Sequence, residues 1–269
     1  MPRFSANLGF LWPERPLLAR IEAAAAAGFE AVELHWPYDV PAEAVRATCA
    51  ERGVRLLALN TPVGDAAAGE FGLAAVPGRE ADFAAAFDQA VRYTVAIGAG
   101  AIHVMAGVVE PGQRDAARET FRRNLARAVD AADAHGLTLL LEPINQRDKP
   151  NYFYDRVEEA AQLIAAVGSP RLRLMFDCYH VQVGQGDVLR RLEAHLPVIG
   201  HVQIAAAPSR AEPDEGELAY GAVFETLDAL GYEGFVGCEY RPRGDTDAGL
   251  AWAQRLGVRL GPVSPSAAR

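Results

Sequence analysis

The 269-residue sequence predicts one α/β domain that folds as a single (β/α)8 TIM barrel. One observation is a repeat, in which helical stretches end at a glycine and a short apolar run typical of a strand follows. Another is length, because eight such units fill a chain of this size and barrels commonly reach it undivided. A doubly wound open sheet is the alternative, but no Gly-x-Gly-x-x-Gly follows the first strand, which weakens its nucleotide-binding form.

Eight strands are predicted in chain order, over residues 3–8, 31–34, 54–59, 101–105, 137–141, 172–176, 198–204 and 235–238. Six of them follow a glycine suited to the left-handed residue that closes a helix: Gly28, Gly53, Gly98, Gly136, Gly168 and Gly231. The strand at 198–204 is entered through Pro197 instead, after a helix near 189–195. Amphipathic helices fill the intervals. Nearly continuous apolar strands alternating with such helices indicate a parallel sheet covered by helices.

Two connections are longer than the repeat requires. Residues 61–79 and 205–217 both follow the carboxyl ends of strands, where barrel enzymes build their sites. We expect them to form lid and substrate loops. The barrel domain is predicted to span residues 1–260, and the tail 261–269 is expected to be flexible.

Composition excludes several classes of protein. The chain carries 26 basic and 35 acidic residues, a net charge of −9, so an extended polyanion such as nucleic acid is a poor partner. Three widely spaced cysteines form no CxxC pair, which favours a reducing, cytoplasmic location over a disulfide framework. No leader-like start and no apolar run of membrane-spanning length is present, so no membrane association is expected.

Four consecutive predicted strands end in a side chain with an oxygen to offer: Glu142, Asp177, Gln203 and Glu239. A lone acid at a strand end is most often a helix cap or a surface charge. Four in successive units are different, because the strand ends of a barrel converge on one mouth. Three crowded carboxylates repel unless a cation lies between them, so the set predicts a metal site. With the neutral Gln203 completing an all-oxygen set, Mg2+ or Mn2+ is favoured over zinc.

Other polar residues are candidates for substrate contacts. His180 follows Asp177 by three residues and is predicted either to hydrogen-bond a substrate oxygen or to orient Asp177 or cap a helix. His103 ends the fourth strand and either reaches the mouth or is a core histidine. Glu217 either contacts the site or caps the helix that begins near Tyr220.

Recognition of a substrate carboxylate has four candidate cations. Arg210 follows the seventh strand and offers a planar fork, although an exposed loop arginine is the plain alternative. Lys149, Arg241 and Arg243 compete with it, because each follows a metal-bearing strand within a few residues. Asn7 and Glu33 are expected as polar residues of the inner layer, and Trp12 and Trp36 either wall the pocket or serve only in packing.

With its strand ends assigned, the chain resembles the xylose isomerase-like barrel superfamily, and specifically the hydroxypyruvate isomerase family. The four strand-end residues carry this resemblance together with five strings: IHVMAGVV (102–109), HVQIA (201–205), EPDEGE (212–217), GCEYRPRG (237–244) and LAAVPGRE (73–80). It extends from the first strand to about Trp252. Ketose 3-epimerases of the same superfamily normally have histidine in place of Gln203, and apurinic endonucleases use several metal histidines that this chain lacks. The related 2-oxo-tetronate isomerases share most of the pattern.

The resemblance implies a metal-dependent isomerase that interconverts hydroxypyruvate and 2-hydroxy-3-oxopropanoate (tartronate semialdehyde), with a small hydroxy-oxo acid as its partner. It further implies that Glu142 and Glu239 are both metal ligands and the acid/base pair acting through an enediolate, and that Asp177 and Gln203 complete the coordination. A 2-oxo-tetronate isomerase or a ketose 3-epimerase is the alternative, and a non-catalytic binder of sugar acids is the weakest one. Related barrels often form homo-oligomers, but no surface pattern in this sequence requires one.

Overall fold

A computed structural model of the protein describes residues 2–261. Its parallel strands are β1 Arg3–Asn7, β2 Ala31–Glu33, β3 Arg55–Leu56, β4 Ala58–Asn60, β5 Ala101–His103, β6 Thr138–Leu141, β7 Leu172–Asp177, β8 Ile199–Ile204 and β9 Phe235–Cys238. Their order around the sheet is β3-β2-β1-β9-β8-β7-β6-β5-β4. The barrel prediction is confirmed. The predicted flexible tail, residues 261–269, lies outside the described residues except for Gly261.

Helices cover the outside of the sheet between successive strands. They are α1 Leu17–Ala26, α2 Ala42–Arg52, α3 Glu80–Ile97, α4 Arg114–Ala134, α5 Val157–Val167, α6 Cys178–Gly184, α7 Val188–His195, α8 Tyr220–Ala229, α9 Thr246–Gly249 and α10 Trp252–Arg255. The six predicted helix-closing glycines all have φ between 67° and 95°, as the left-handed closing residue requires. None of the helices in residues 2–261 combines the length and the apolar character needed to cross a membrane.

The third barrel position differs from its prediction, because the single strand expected over 54–59 is divided into β3 and β4. β3 pairs with β2, whereas β4 pairs with β5. At the division, the Leu57 N–H donates to the Val32 carbonyl (3.0 Å) and the Leu57 carbonyl accepts from Ala101 (3.0 Å). The chain thus passes from one neighbour to the other, as a tilted strand must where a barrel closes. The nine strands therefore occupy eight barrel positions.

The loop at 61–79 is fastened across the mouth of the barrel. Gly72 forms a bridge with Ala106, and the Ala75 N–H donates to the Ala106 carbonyl at 2.7 Å. At Gly72, φ is +111° and an added Cβ would lie 2.6 Å from the Met105 carbonyl oxygen, so only glycine fits this close approach. The loop is consequently a fixed wall of the mouth.

The loop at 205–217 is held at both of its ends. The Tyr220 hydroxyl donates to the Ala205 carbonyl at 2.6 Å, and the Glu217 N–H donates to the Ala207 carbonyl at 2.7 Å. Arg210, inside this loop, has φ of +57°, a left-handed conformation that is uncommon for a bulky residue. Strain of this kind is concentrated at functional sites, where surrounding contacts hold it in place.

Candidate active site

The carboxyl ends of the strands open into a cavity of about 350 Å³. Seven of the predicted polar and charged candidates line it: His103, Glu142, Lys149, His180, Arg210, Glu239 and Arg241. Apolar and aromatic side chains form much of the remaining wall: Phe10, Trp36, Phe71, Met105 and Ile144. A small, partly apolar cavity with convergent polar groups is what binding of a small ligand requires.

The four strand-end residues are brought together as predicted. Asp177 ends β7, Gln203 lies in β8, and Glu142 and Glu239 each follow the last residue of their strand by one position. All four are buried. The Arg210 Nη2 atom reaches two of them, at 2.9 Å from Glu239 Oε2 and 3.9 Å from Asp177 Oδ2. They meet because β6, β7, β8 and β9 are successive neighbours in the sheet.

Three of these four residues keep a buried oxygen that has no hydrogen-bond partner among the described residues. These oxygens are Glu142 Oε1, Asp177 Oδ2 and Gln203 Oε1. Buried polar atoms are nearly always paired, so three such oxygens in one site call for a partner that is not a protein side chain. A hard divalent cation satisfies carboxylate and amide oxygens together, so the donor set fits Mg2+ or Mn2+.

Crowding of the carboxylates shifts their proton affinities in opposite directions. Burial, with the charges of Glu239 and Asp177, raises the pKa of Glu142 well above its usual range. Burial and the Glu239 charge raise the pKa of Asp177 to about 7. Burial alone would also raise the pKa of Glu239, but His35 and Arg210 lower it to about 2. Without a cation, therefore, Glu239 is ionised while Glu142 retains a proton.

Three neighbouring side chains hold the carboxylate of Glu239. Its Oε1 accepts from Asn7 Nδ2 and lies within hydrogen-bond distance of His35 Nε2, both at 3.0 Å. Its Oε2 accepts from Arg210 Nη2 at 2.9 Å. Donors on both oxygens fix the rotamer of the carboxylate and favour its ionised form.

Glu33, a residue of the barrel's inner layer, orients the side-chain amide of Gln203. Gln203 Nε2 donates to Glu33 Oε2 at 2.8 Å, which directs Gln203 Oε1 away from Glu33. Glu33 Oε1 accepts from the Ser5 hydroxyl at 2.5 Å and lies 3.0 Å from His201 Nε2. Burial alone would raise the pKa of Glu33, but His201 and these hydrogen bonds lower it. Glu33 thus remains a carboxylate and an acceptor for Gln203.

The hydrogen bonds of His180 define its tautomer. Its Nδ1 accepts from the Asn145 backbone N–H at 3.3 Å and from Asn145 Nδ2 at 2.6 Å. Asn145 Oδ1 accepts from the Asp148 N–H, which fixes the orientation of that amide. Burial and the Arg210 charge lower the pKa of His180 well below its usual range. His180 is therefore neutral with its proton on Nε2, which makes that nitrogen a donor and not a metal ligand.

The Nε2 donor of His180 faces the carboxylate cluster, 3.6 Å from Asp177 Oδ2 and 3.8 Å from Glu142 Oε1. His103 faces the same cluster from β5, with Nδ1 3.5 Å from Glu142 Oε2. Burial lowers the pKa of His103 to about 4, so it too is neutral. Two neutral imidazoles therefore border the cavity on the Glu142 side, and each is able to hydrogen-bond a substrate oxygen.

The four candidate cations are used differently. Both Nη atoms of Arg210 are paired with acids, Glu239 and Asp148, and only its buried Nε lacks a partner among the described residues, so the fork is not free for a substrate carboxylate. Arg243 is likewise enclosed by acids of the 205–217 loop: Glu212, Asp214 and Glu215. Lys149 and Arg241 line the cavity, and neither forms an ion pair among residues 2–261.

Glu217 and Trp12 take part in neither the cavity wall nor the carboxylate cluster. Glu217 is exposed, and the helix after it has no side-chain cap, because the bond from the Glu217 N–H to Ala207 ties the backbone there while the side chain faces solvent. Trp12 is fully buried and donates to Asp247 at 2.8 Å, so it packs in the core instead of lining the pocket. Trp36 does line the pocket.

Sequence reasoning did not select His35 or Asn145. His35 lies two residues beyond β2, so the rule that polar residues gather after strand ends was sufficient to find it. Asn145 lies in the loop after β6, and no spacing in the sequence connects it to His180. Only the folded chain brings the two together.

The fold and the site define a class of barrel enzyme, and sequence comparison agrees with that class. Residues 21–256 match the family model described as xylose isomerase-like TIM barrel, and the chain belongs to this family. It is 49% identical over 254 residues to the 2-oxo-tetronate isomerase of Cupriavidus necator, covering 94% of this chain and 97% of that protein. It is 38% identical over 253 residues to the hydroxypyruvate isomerase of Escherichia coli, covering 94% and 98%. The protein is accordingly an isomerase, as its sequence predicts.

Among solved structures, the chain is similar to a protein from Brucella melitensis described as an AP endonuclease of family 2. The two are 43% identical and superpose with a TM-score of 0.92, over 95% of this chain and 99% of that one. The likeness extends over the whole barrel, including the strand ends that carry the site.

Proposed function

We propose that the protein interconverts hydroxypyruvate and 2-hydroxy-3-oxopropanoate in a reaction that depends on a divalent metal. The observation that carries the proposal is the set of unpartnered buried oxygens on Glu142, Asp177 and Gln203, next to the ionised Glu239. These residues are the ones that would hold the cation. When bound, a divalent cation supplies Lewis-acid stabilisation for the negative charge that develops on the substrate oxygens.

The reaction moves one hydrogen between neighbouring carbons. A C–H bond breaks at C3 of hydroxypyruvate and one forms at C2, while the hydroxyl proton moves from the C3 oxygen to the C2 oxygen. Glu142 and Glu239 line the same cavity from β6 and β9, so one is able to take a proton from carbon and the other to return one. The Nε2–H of His180 supplies a neutral donor to a substrate oxygen.

Asn7, His35 and Arg210 hold Glu239 in place and keep it a carboxylate. A base that is ionised before the substrate arrives needs no reorganisation during proton transfer. The aromatic walls limit access of water to the reacting carbons. Together these residues support proton abstraction next to a carbonyl better than hydrolysis.

A small acid suits both the volume and the charge of the site. The cavity of about 350 Å³ has the size of a pocket for a small ligand, and Lys149 and Arg241 on its wall favour an anion. We do not favour nucleic acid as a substrate, despite the description of the Brucella protein, because a chain of net charge −9 repels a polyanion.

A second candidate is the isomerisation of 2-oxo-tetronates. It is favoured by the 49% identity to the enzyme of that name from Cupriavidus necator, and it needs the same metal set and the same pair of glutamates. The two candidates differ by one carbon in the substrate. A ketose 3-epimerase is less well supported, since a free ketose has no carboxylate to pair with the unpaired cations of the cavity wall.

The test is an NMR assay in deuterated water with Mg2+ or Mn2+, in which hydroxypyruvate, a 2-oxo-tetronate and a free ketose are supplied separately. We expect deuterium to enter carbon during interconversion, and the highest kcat/KM identifies the substrate. Chelation is expected to abolish turnover. Restoration by zinc but not by Mg2+ or Mn2+ would contradict the proposed metal set.

The acid/base assignment is tested with Glu142→Gln and Glu239→Gln, which keep size and remove the proton-transfer group. Each is expected to lower kcat by roughly 10²- to 10⁴-fold, the usual contribution of a positioned acid or base. Circular dichroism checks that the variants fold. Full activity in either variant would show that its glutamate is not part of the pair.

A further inference from the structure

We infer that Lys149 binds the substrate carboxylate and restricts the enzyme to acids. This inference rests on the proposed function, because it names the group that recognises the acid end of the substrate. Lys149 is the only lysine among the chain's 26 basic residues. It lines the cavity together with Glu142 and Glu239. An ammonium group is a compact point charge, which suits a small cavity better than the larger planar fork of arginine.

The backbone of Lys149 is fixed in the loop after β6. Its N–H donates to the Asn145 carbonyl at 3.1 Å, and its own carbonyl accepts from the Tyr152 N–H at 3.2 Å. Asn145 also hydrogen-bonds His180, the residue whose Nε2 faces the carboxylate cluster. The backbone of Lys149 and the imidazole of His180 are therefore both held by Asn145 in one local arrangement.

The ammonium of Lys149 lies over an aromatic ring from the opposite loop. Its Nζ is 4.3 Å from the centre of the Phe71 ring, and that ring packs against Trp36 and Tyr152. The loop that carries Phe71 is tied down through Gly72 and Ala106. The face of an aromatic ring attracts a cation without neutralising it. Phe71 therefore holds the charge at the cavity wall and leaves it available to an anion.

No competing cation among residues 2–261 is as well placed. Arg210 is committed to Glu239 and Asp148, whereas Lys149 forms no ion pair among residues 2–261. Arg241 is the remaining alternative, but it is exposed. Its Cζ lies 5.6 Å from the centre of the Phe10 ring, and the guanidinium of Arg210 also contacts that ring. Substitution of Arg241 therefore makes the matched comparison.

The kinetic test compares hydroxypyruvate with dihydroxyacetone, which undergoes the same shift to glyceraldehyde but has CH2OH in place of the carboxylate. In Lys149→Met, kcat/KM for hydroxypyruvate is expected to fall roughly 10- to 100-fold, the usual loss for a charge-assisted contact, mostly through KM. The value for dihydroxyacetone is expected to stay unchanged. Lys149→Arg keeps the charge and is expected to retain part of the preference for acids.

Equal losses on both substrates in Lys149→Met would indicate a structural role and overturn the inference. So would a selective loss on hydroxypyruvate in Arg241→Met that is absent in Lys149→Met. Thermal unfolding of each variant identifies any that fail to fold. If a variant fails to fold, the role of Lys149 is tested by NMR on the wild-type protein instead, as follows.

The spectroscopic test uses the fact that the chain has a single lysine. Reductive methylation with 13C-formaldehyde labels Lys149 and the terminal amine, and the Lys149 resonance is the one that is absent from the labelled Lys149→Arg variant. Hydroxypyruvate, added to the Mg2+-loaded protein, is expected to shift the Lys149 resonance, and dihydroxyacetone is expected not to. Turnover without a shift overturns the inference on Lys149 alone. A shift without turnover overturns the proposed function alone, and absence of both overturns both.

Discussion

Two halves of the barrel mouth differ in how their polar groups are satisfied. In the half formed by β9, β1 and β2, which we term the bonded half, Glu239, Asn7, His35 and Glu33 hydrogen-bond one another or their neighbours. In the half formed by β6 and β7, the open half, Glu142 and Asp177 each keep a buried oxygen that no residue of the described range 2–261 hydrogen-bonds. Both halves carry carboxylates, but only one of them is satisfied by the protein itself.

Gln203 marks the boundary between the halves. Its amide nitrogen belongs to the bonded half through Glu33, and its amide oxygen is unpartnered like those of the open half. The bonded half is thus held by hydrogen bonds within the protein, whereas the open half leaves oxygens that the proposed cation would bind. Preorganisation on one side and unmet coordination on the other are what a metal-dependent proton-transfer site requires.

The largest expected effect is a difference in the free energy of unfolding between variants of Glu239 and Glu142. In the chelator-treated protein, Glu239→Gln removes a charged acceptor from Asn7, His35 and Arg210 and is expected to destabilise the fold by about 2–3 kcal/mol. Glu142 already holds a proton there, so Glu142→Gln is expected to cost less than about 0.5 kcal/mol. Urea unfolding measures both. Equal losses would remove the distinction between the halves.

A smaller effect is expected at the boundary. Glu33→Gln presents an amide to Gln203 Nε2, so the Gln203 amide is expected to turn and withdraw its oxygen from the cluster. Loss of such support typically lowers metal affinity, here by roughly tenfold. Calorimetric titration with Mn2+ measures the change. Ser5→Ala removes a different bond to Glu33 and leaves the carboxylate in place, so it serves as the matched control. An unchanged affinity in Glu33→Gln would contradict the role of Glu33.

The smallest expected effect is a pH dependence from His201 of β8, which pairs with Glu33 of the bonded half. Burial lowers the pKa of His201, but Glu33 more than offsets this and the pKa is raised. A raised histidine pKa means that protonated His201 stabilises the folded state. This contribution to the free energy of unfolding is complete below the ordinary pKa of about 6.5 and is lost as pH rises through the raised pKa. We therefore expect the free energy of unfolding to decline as pH rises above 6.5. The decline should be absent in His201→Gln, and the same slope in both proteins would refute it.

The open half was the more predictable one from sequence. Glu142 and Asp177 stand directly at strand ends, where the barrel repeat alone specifies that side chains converge. The supports of the bonded half were harder to find. Glu33 and Asn7 are recognisable as inner-layer polar residues, but their partners, Gln203 and Glu239, lie far away in the chain. Pairing at such separation is decided by strand order and register, which local patterns do not encode.

The sequence by itself determined the barrel, its eight positions, the glycines that close six helices, and the four oxygen donors at the mouth. These follow from local periodicity and from the geometry that all parallel barrels share. Only the tertiary structure decided that the third strand is divided, that His35 supports Glu239, that Glu217 faces solvent, and that Arg210 is occupied while Lys149 is not. Each of these depends on which side chains from distant segments meet, and the competition among neighbouring charges for one partner is settled only in the packed chain.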